Sequence, residues 1–200
     1  MTTPVIDHGA RMDIFEAIRL RRSIKPERMK TDPVDRGLIE QLLEAANWAP
    51  SHGQTEPWRF VVMSGDARLE LAEAVCRDLA DPGQPTLPAG DPRREKLMEK
   101  FRTPPYVIAI VVAPSTNPKI FEHEELASTA MAVQNMHLAA RALGLAGFWS
   151  SGKKTFGPEV AQHLELEAPA RCLGFFFVGW PGVPWPEGTR RPAGDKVTWR

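Results

Sequence analysis

Apolar residues recur along this chain with two spacings, one helical and one of short β-branched runs. Residues 12–20 predict a first helix with Ile14, Phe15 and Ile18 on one face. Apolar residues from 38 to 46 follow the i, i+3, i+4, i+7 spacing of a second, amphipathic helix.

The later periodic segments predict helices and strands in alternation, with no internal repeat. The β-branched run from Tyr106 to Ala113 is typical of a strand that is covered on both faces. The other predicted strands are 60–63, the short strand and turn 147–152, and 172–180, and the other predicted helices are 67–79, 93–101, 124–143 and 157–166.

The segment 124–143 differs from an ordinary surface helix because its apolar residues spread over the whole circumference. A helix with so few polar positions must be central to the fold or buried against another subunit. Gly144 ends it in the usual C-cap manner, and the chain then enters GFWSSG at 147–152.

Two stretches contain too much proline and glycine for regular structure. Residues 81–92 hold four prolines and two glycines and predict a lid or a surface excursion. The tail 181–200 has four prolines and two tryptophans and predicts an arm that lies on a surface, such as that of a partner subunit. We predict one domain over residues 1–200, with 1–11 as an N-terminal extension and 181–200 as a C-terminal arm.

Composition and charge narrow the class of protein. The 25 basic residues balance 25 acidic ones, so a global basic field for nucleic acid is absent and a small organic partner is favoured over a polyanion. Cys76 and Cys172 lie in apolar patterns without metal-like spacing, which predicts buried free thiols in a reducing compartment. Without a signal-peptide core or an apolar run of roughly 20 residues, we expect a cytoplasmic protein with no membrane partner.

Most familiar catalytic signatures are missing. HEELA at 123–127 begins like a zinc-binding helix, but Ala127 stands where the second histidine is needed, so a solvated helix start is the interpretation and no metal is expected. Gly144 and Gly147 follow a helix and precede a strand, which is the reverse of the dinucleotide fingerprint. The sequence contains neither a P-loop nor a G-x-S-x-G motif.

Three polar segments remain as candidates for a binding site. Arg21, Arg22 and Ser23 follow the first helix and can bind a phosphate bidentately, although such arginines also complement a helix C-terminus. Trp149 to Gly152 offers an aromatic wall beside main-chain N–H groups, unless Trp149 belongs to the core.

The third segment is the loop WAPSHGQTEPWRF at 48–60, which is longer than a plain connection and is stiffened by Pro50 and Pro57. Ser51, His52 and Gln54 offer donors and acceptors to a polyol or a ring edge, or they cap the loop itself. The three segments together suit a ligand with a phosphate at one end, hydroxyls in the middle and a flat polar ring at the other.

This order of motifs resembles the nitroreductase family of flavoproteins. RRS ends the first helix, A-P-S and P-W-R-F follow the second, and a long apolar helix closed by G-L precedes GFWSSG. The resemblance covers roughly residues 12–200. It implies an α+β fold with a central, mostly antiparallel sheet flanked by helices, an intertwined homodimer with a C-terminal arm, and one FMN in each of two interface sites. It also implies NADH or NADPH as the electron donor, and the sequence does not distinguish them.

Residue by residue, the resemblance implies that Arg21, Arg22 and Ser23 hold the FMN phosphate and ribityl chain from one subunit. Pro50, Ser51, His52 and Gln54 would reach the same flavin from the other subunit. Phe148, Trp149, Ser150 and Ser151 would lie along the isoalloxazine, with a main-chain N–H of Ser150 or Ser151 facing N5. Arg191, with Arg190, would close over the phosphate.

Two positions depart from the family pattern. Many relatives have Asn where Gln54 stands and Gln where Glu56 stands, which affects the hydrogen bonds at the ribityl and pyrimidine end of the flavin.

The implied activity is an NAD(P)H-dependent nitroreductase-type oxidoreductase. A hydride passes from NAD(P)H to flavin N5, and a ping-pong cycle hands electrons to a nitroaromatic, a quinone or a similar small acceptor, with no catalytic side chain assigned. An FMN-binding protein for storage or sensing, without turnover, is the alternative. Branches of the fold that consume flavin or remove halogens carry extra lid segments, which 81–92 does not obviously supply.

Overall fold

The computed structural model describes residues 12–152 and 157–200, and the predicted N-terminal extension 1–11 lies outside that range. The helices are α1 Ile14–Leu20, α2 Arg36–Asn47, α3 Ala67–Asp78, α4 Pro92–Arg102, α5 Glu122–Ala142 and α6 Pro158–His163. The strands are β1 Trp58–Ser64, β2 Tyr106–Val112, β3 Ala146–Ser150 and β4 Arg171–Gly179. Every helix and strand predicted from the sequence is therefore present.

The four strands form one antiparallel sheet in the order β1-β2-β4-β3. Strand β2 is central and its side chains from Val107 to Val112 are buried, because helices cover both faces of the sheet at that position. The α+β architecture with a central antiparallel sheet flanked by helices is thus confirmed.

Each face of the sheet carries its own hydrophobic cluster. On one face, Phe175 and Phe177 of β4 pack edge-to-face against Phe101 of α4, with α3 and α6 beside them. On the other face, α5 lies across the sheet and packs against α2. The prediction that 124–143 forms a central helix is confirmed, since Ala132, Met136 and Ala140 are fully buried.

Helix boundaries differ from the predicted ones for local reasons. Helix α1 begins at Ile14 rather than residue 12, because the Asp13 carboxylate accepts the main-chain N–H groups of Phe15 (2.8 Å) and Glu16 (3.0 Å) as an N-cap. Helix α6 ends at His163 rather than residue 166, where Glu165 takes a positive φ of 53° that no helix continues.

The irregular stretch 81–92 is a surface excursion and not a free lid. Leu87 is fully buried, and its N–H donates to the carbonyl of Cys76 at 3.2 Å. Arg93 binds the carboxylates of both Asp81 and Asp91 at 2.7 Å, which ties the two ends of the stretch together.

Both cysteines are buried free thiols, as predicted. Within the two described ranges, no helix combines the length and the apolar character that a membrane crossing requires.

Candidate functional site

Two of the three predicted segments meet beside strand β3. Ser23 forms an isolated parallel bridge with Gly147, and the N–H of Ile24 donates to the carbonyl of Gly147 at 3.3 Å. At the same residue a Cβ would lie 2.6 Å from the Phe176 ring and 3.2 Å from His137 Nδ1, so the packing of β3 requires glycine there. The RRS segment therefore lies along the edge strand that carries Phe148, Trp149 and Ser150.

Three guanidinium groups gather at this edge. The pKa of Arg21 is lowered mainly by burial, and repulsion from Arg190 and Arg22 lowers it further. Among the described residues, none of the three has a carboxylate partner. Like charges held together without a counterion favour an anion as the missing partner.

Arg22 supports the helix C-terminus, as one of the two interpretations of the RRS motif expects. Its Nη1 donates to the carbonyls of Arg19 and Arg21, each at 2.7 Å, so it does complement the end of α1. Its Nε is buried and has no acceptor in the described part of the chain. A buried donor without an acceptor costs about 1–3 kcal/mol, so an oxygen-rich group at this edge would satisfy it.

The side chains of β3 alternate between the two faces of the sheet, as a strand requires. Phe148 packs against the cluster of α3 and α4, whereas Trp149 packs against the cluster of α2 and α5. The Ser150 hydroxyl accepts a hydrogen bond from the Lys100 ammonium at 2.9 Å, while Ser151 is exposed.

The loop after α2 has an unusual backbone. Gly53, Gln54 and Glu56 all take positive φ angles of 61°, 54° and 44°. Positive φ is uncommon for non-glycine residues and often occurs at ligand sites, where the surrounding contacts hold the strained conformation. The contacts here are close, because a Cβ at Gly53 would lie 2.9 Å from the Ile120 side chain.

Side chains also hold this loop in place. The Ser51 hydroxyl accepts the N–H of Glu56 at 3.2 Å, and His52 Nδ1 lies 3.0 Å from Glu124 Oε1 at the start of α5. Pro50, His52 and Gln54 are exposed and Ser51 is half-buried, so the loop presents these groups outward.

One protomer does not bring the loop and the RRS segment together. The loop binds Glu124 near the start of α5, whereas the RRS edge lies at His137, whose Nδ1 is 3.2 Å from the Cβ position at Gly147. At 1.5 Å per residue, Glu124 and His137 are separated by about 20 Å along the axis of α5. The loop and the RRS segment are therefore separate surfaces on one chain.

His137 at the RRS edge was not among the candidate site residues predicted from the sequence. Its imidazole is 8% exposed and meets the Phe176 ring edge-on at 4.7 Å. Burial, and then the charge of Arg21, lowers the pKa of His137 to about 4. The signal in the sequence was that His137 is a polar residue within the apolar pattern of α5.

The predicted solvated helix start at HEELA needs a correction. His123 is exposed, but Glu125 is only 2% exposed, because its two carboxylate oxygens accept the N–H of Ser115 at 2.9 and 3.0 Å. A charged group of this kind is buried only when hydrogen bonds satisfy it. The segment anchors the preceding loop.

The first half of the predicted arm stays on its own protomer. Pro181 bridges to Met29, Trp185 lies under the Arg141 guanidinium at 4.1 Å, and Gly188 packs against Arg22. This course carries Arg190 to Arg21, while residues 191–200, including Arg191, are all exposed. Residues 181–190 therefore pack on their own chain.

Known proteins resemble this chain over nearly its whole length. YfhC of Bacillus subtilis (strain 168), assigned by its name to the NAD(P)H nitroreductases, is 30% identical over 98% of this chain and 97% of its own. A nitroreductase-like family protein from Bacillus cereus superposes with a TM-score of 0.83 at 26% identity, covering 97% of this chain and 99% of its own.

A second solved structure, from Desulfovibrio desulfuricans and in complex with FMN, gives a TM-score of 0.72 at 25% identity over 96% of this chain and 98% of its own. The sequence model of the Nitroreductase family matches residues 18–180, which include the RRS segment, the loop and β3. This chain belongs to the nitroreductase family.

Proposed function

We propose that the protein is an FMN-dependent oxidoreductase that takes electrons from NADH or NADPH and passes them to a small organic acceptor. The observation that carries the proposal is the group of guanidiniums beside β3, which has no carboxylate partner in the described ranges. Such a group fits the phosphate of a mononucleotide, which needs positive charge and N–H donors.

In this proposal Arg21, Arg22 and Ser23 hold the phosphate and the adjoining hydroxyls. The unsatisfied Nε of Arg22 provides one donor, and the Ser23 hydroxyl both donates and accepts. Arg190 closes the group from the arm, and Arg191 follows it in the exposed segment.

Strand β3 supplies the flat surface and the main-chain donors. Phe148, Trp149, Ser150 and Ser151 come directly after Gly147, the residue that contacts Ser23. A ligand anchored at RRS therefore extends along these residues. FMN, when bound, supplies the chemistry of accepting and returning a hydride, which no side chain of this protein supplies. Donor and acceptor use the site in turn in a ping-pong cycle, with a nitroaromatic, a quinone or a similar small molecule as acceptor.

The complete site requires a homodimer. Because the loop half-site lies about 20 Å along α5 from the RRS half-site, we propose that Pro50, Ser51, His52 and Gln54 serve the flavin of the partner. A twofold arrangement supplies both halves twice, giving two equivalent sites.

Two surfaces support this assembly. Helix α1 leaves Ile14, Phe15 and Ile18 exposed on one face, with Phe15 81% exposed, although a surface helix normally buries its apolar face. Strand β1 is an edge of the sheet that pairs with β2 on one side and with no strand of the described residues on the other, and it exposes Val61 and Val62. Exposed apolar edges of this kind are usually covered in native proteins.

The C-terminal segment 191–200 of the partner is the proposed cover for the β1 edge. It carries three basic side chains against one acidic one, and its Trp199 is 91% exposed. Beside β1 lies a groove of about 440 Å³ lined by three acidic side chains, Glu40, Glu44 and Glu56, and one basic side chain, Arg59, so its net acidic charge complements the basic segment. We further propose a single domain, because both hydrophobic clusters share one sheet, and a cytoplasmic location that suits its two free thiols.

The proposal is tested by loading the protein with FMN and adding each nicotinamide without oxygen. We expect one FMN per chain and loss of the oxidised flavin absorbance with NADH, NADPH or both, followed by its return when a quinone or nitroaromatic is added. Failure to bind FMN after reconstitution would refute the proposal. Bound FMN that neither donor reduces would instead indicate a storage or sensing protein.

A further inference from the structure

The side chain of Glu124 is fixed at the start of α5 by two contacts. Its Oε2 accepts the N–H of Phe121 at 2.8 Å, which completes a capping interaction with its own helix. Its Oε1 faces His52 Nδ1 at 3.0 Å. The Phe121 N–H, and then His52, lower the pKa of Glu124, so this carboxylate remains ionised at neutral pH.

An ionised carboxylate only accepts hydrogen bonds, so His52 must carry a proton on Nδ1. The imidazole is thereby oriented with Nε2 directed away from α5, and the side chain is 55% exposed. A histidine whose Nδ1 is held by a carboxylate while its Nε2 is free to meet a ligand is the arrangement used for proton transfer.

The backbone around His52 supports a functional interpretation. The positive φ angles of Gly53, Gln54 and Glu56 follow it directly, and contact with Ile120 keeps the loop against α5. A simple connection from α2 to β1 does not require three such residues, whereas presenting one side chain at a fixed angle does.

We propose that His52 is a catalytic residue of the acceptor half-reaction, donating the proton from Nε2 to the acceptor bound at the partner's flavin, with Glu124 as its positioning residue. This inference rests on the proposed function above. It assigns a chemical role to a side chain for which the family resemblance implied only a flavin contact.

The step balances for a quinone acceptor. FMN, when bound and reduced, would supply a hydride, so one carbonyl oxygen of the quinone would gain an O–H bond with two electrons and the ring would become aromatic. The second oxygen takes the Nε2 proton of His52 in its imidazolium form, the N–H bond electrons remain on the imidazole, and Nδ1 keeps its proton to Glu124. Water returns the Nε2 proton afterwards. One hydride and one proton thus convert the quinone to the hydroquinone.

The charged and titratable groups near His52 are Glu124 and His123 on α5 and Glu56 in its own segment. Glu124→Gln keeps an acceptor for the Phe121 N–H, so the helix start remains folded. The variant removes the carboxylate that obliges Nδ1 of His52 to carry a proton.

The test separates the two half-reactions by stopped-flow with FMN-loaded protein. His52→Gln should slow reoxidation by a quinone about tenfold, a modest part of the usual range for general acid catalysis because the site is open to water. Reduction by the nicotinamide should change at least five times less. The matched control is His123→Gln, which replaces an exposed histidine at the start of α5 and should change neither rate.

A second readout does not depend on turnover. Nitrogen NMR of the imidazole in flavin-free protein should show the proton of His52 on Nδ1, and Glu124→Gln should allow the other tautomer and slow reoxidation. An unchanged tautomer and rate in Glu124→Gln would remove Glu124 as the positioning residue.

The outcomes distinguish the inference from the function on which it rests. His52→Gln protein that binds FMN and is reduced normally, yet is reoxidised at the wild-type rate with an unchanged pH profile, would overturn the role of His52. Wild-type protein that is never reduced would instead remove the proposed function.

Discussion

Replacing Phe15 by alanine should weaken the homodimer while leaving the fold of each protomer intact. Phe15 is 81% exposed on α1, so its ring contributes little to the core of its own chain. Burying a complete phenylalanine side chain is worth about 1.5–3 kcal/mol, and the exposed share corresponds to roughly 1–2 kcal/mol. A twofold interface contains the residue twice, so Phe15→Ala should cost about 2–4 kcal/mol of dimerisation free energy.

That cost corresponds to a roughly thirty- to thousandfold increase in the dimer dissociation constant. Sedimentation equilibrium over a dilution series measures it directly, and far-UV circular dichroism checks that the helices remain. Phe15→Leu keeps most of the apolar surface and should stay within about tenfold of the wild-type constant. A dissociation constant for Phe15→Ala within threefold of the wild type would show that α1 lies outside the interface.

Three further predictions concern the anion site, the buried histidine and the arm. Arg21→Ala should weaken FMN binding about ten- to hundredfold through loss of a charge-assisted hydrogen bond. The affinity for riboflavin, which lacks the phosphate, should fall much less. Equal losses of the two affinities in a fluorescence titration would contradict a phosphate contact. The pKa of His137 is lowered in the folded protein to about 4 from an ordinary 6.5. As the pH falls between those values, the unfolded chain therefore takes up the proton before the folded one does. The free energy of unfolding should drop by roughly 3 kcal/mol over this range. Urea titrations of His137→Leu at fixed chain concentration should lack this component of the decline; an identical slope in the variant would remove His137 as its source. Deleting residues 191–200 should expose the β1 edge and lower dimer stability, which gel filtration and light scattering would detect, and an unchanged dimer would show that this segment does not cover the edge.

The sequence pattern was sufficient to locate the helices and strands and the two polar segments that meet at β3. Residues such as Tyr106 to Val112 can be assigned because burial on both faces imposes a continuous β-branched run. The contact of RRS with β3 could not be read from spacing, since Ser23 and Gly147 are far apart in the sequence and meet only through tertiary packing.

Other parts of the site required the three-dimensional arrangement. His52 and Glu124 lie 72 positions apart in the sequence, and the glutamate was interpreted only as part of a solvated helix start. His137 was overlooked because one polar residue scarcely alters the periodicity of an apolar helix. The proposed division into two half-sites depends on the length of α5, which sequence periodicity predicts. It also depends on where each segment contacts α5, which periodicity does not predict.

The central claim is that each flavin site combines RRS of one chain with the 50–54 loop of the other, and subunit complementation tests it most directly. Arg21→Glu should abolish binding at one half-site and Gln54→Trp at the other, so each variant alone should bind little FMN. Equal mixing with subunit exchange should yield hybrid dimers with one intact site, restoring about a quarter of the wild-type flavin content. No recovery, with exchange verified by mass spectrometry, would show that both segments serve the same chain's site or that one of them does not contact the flavin.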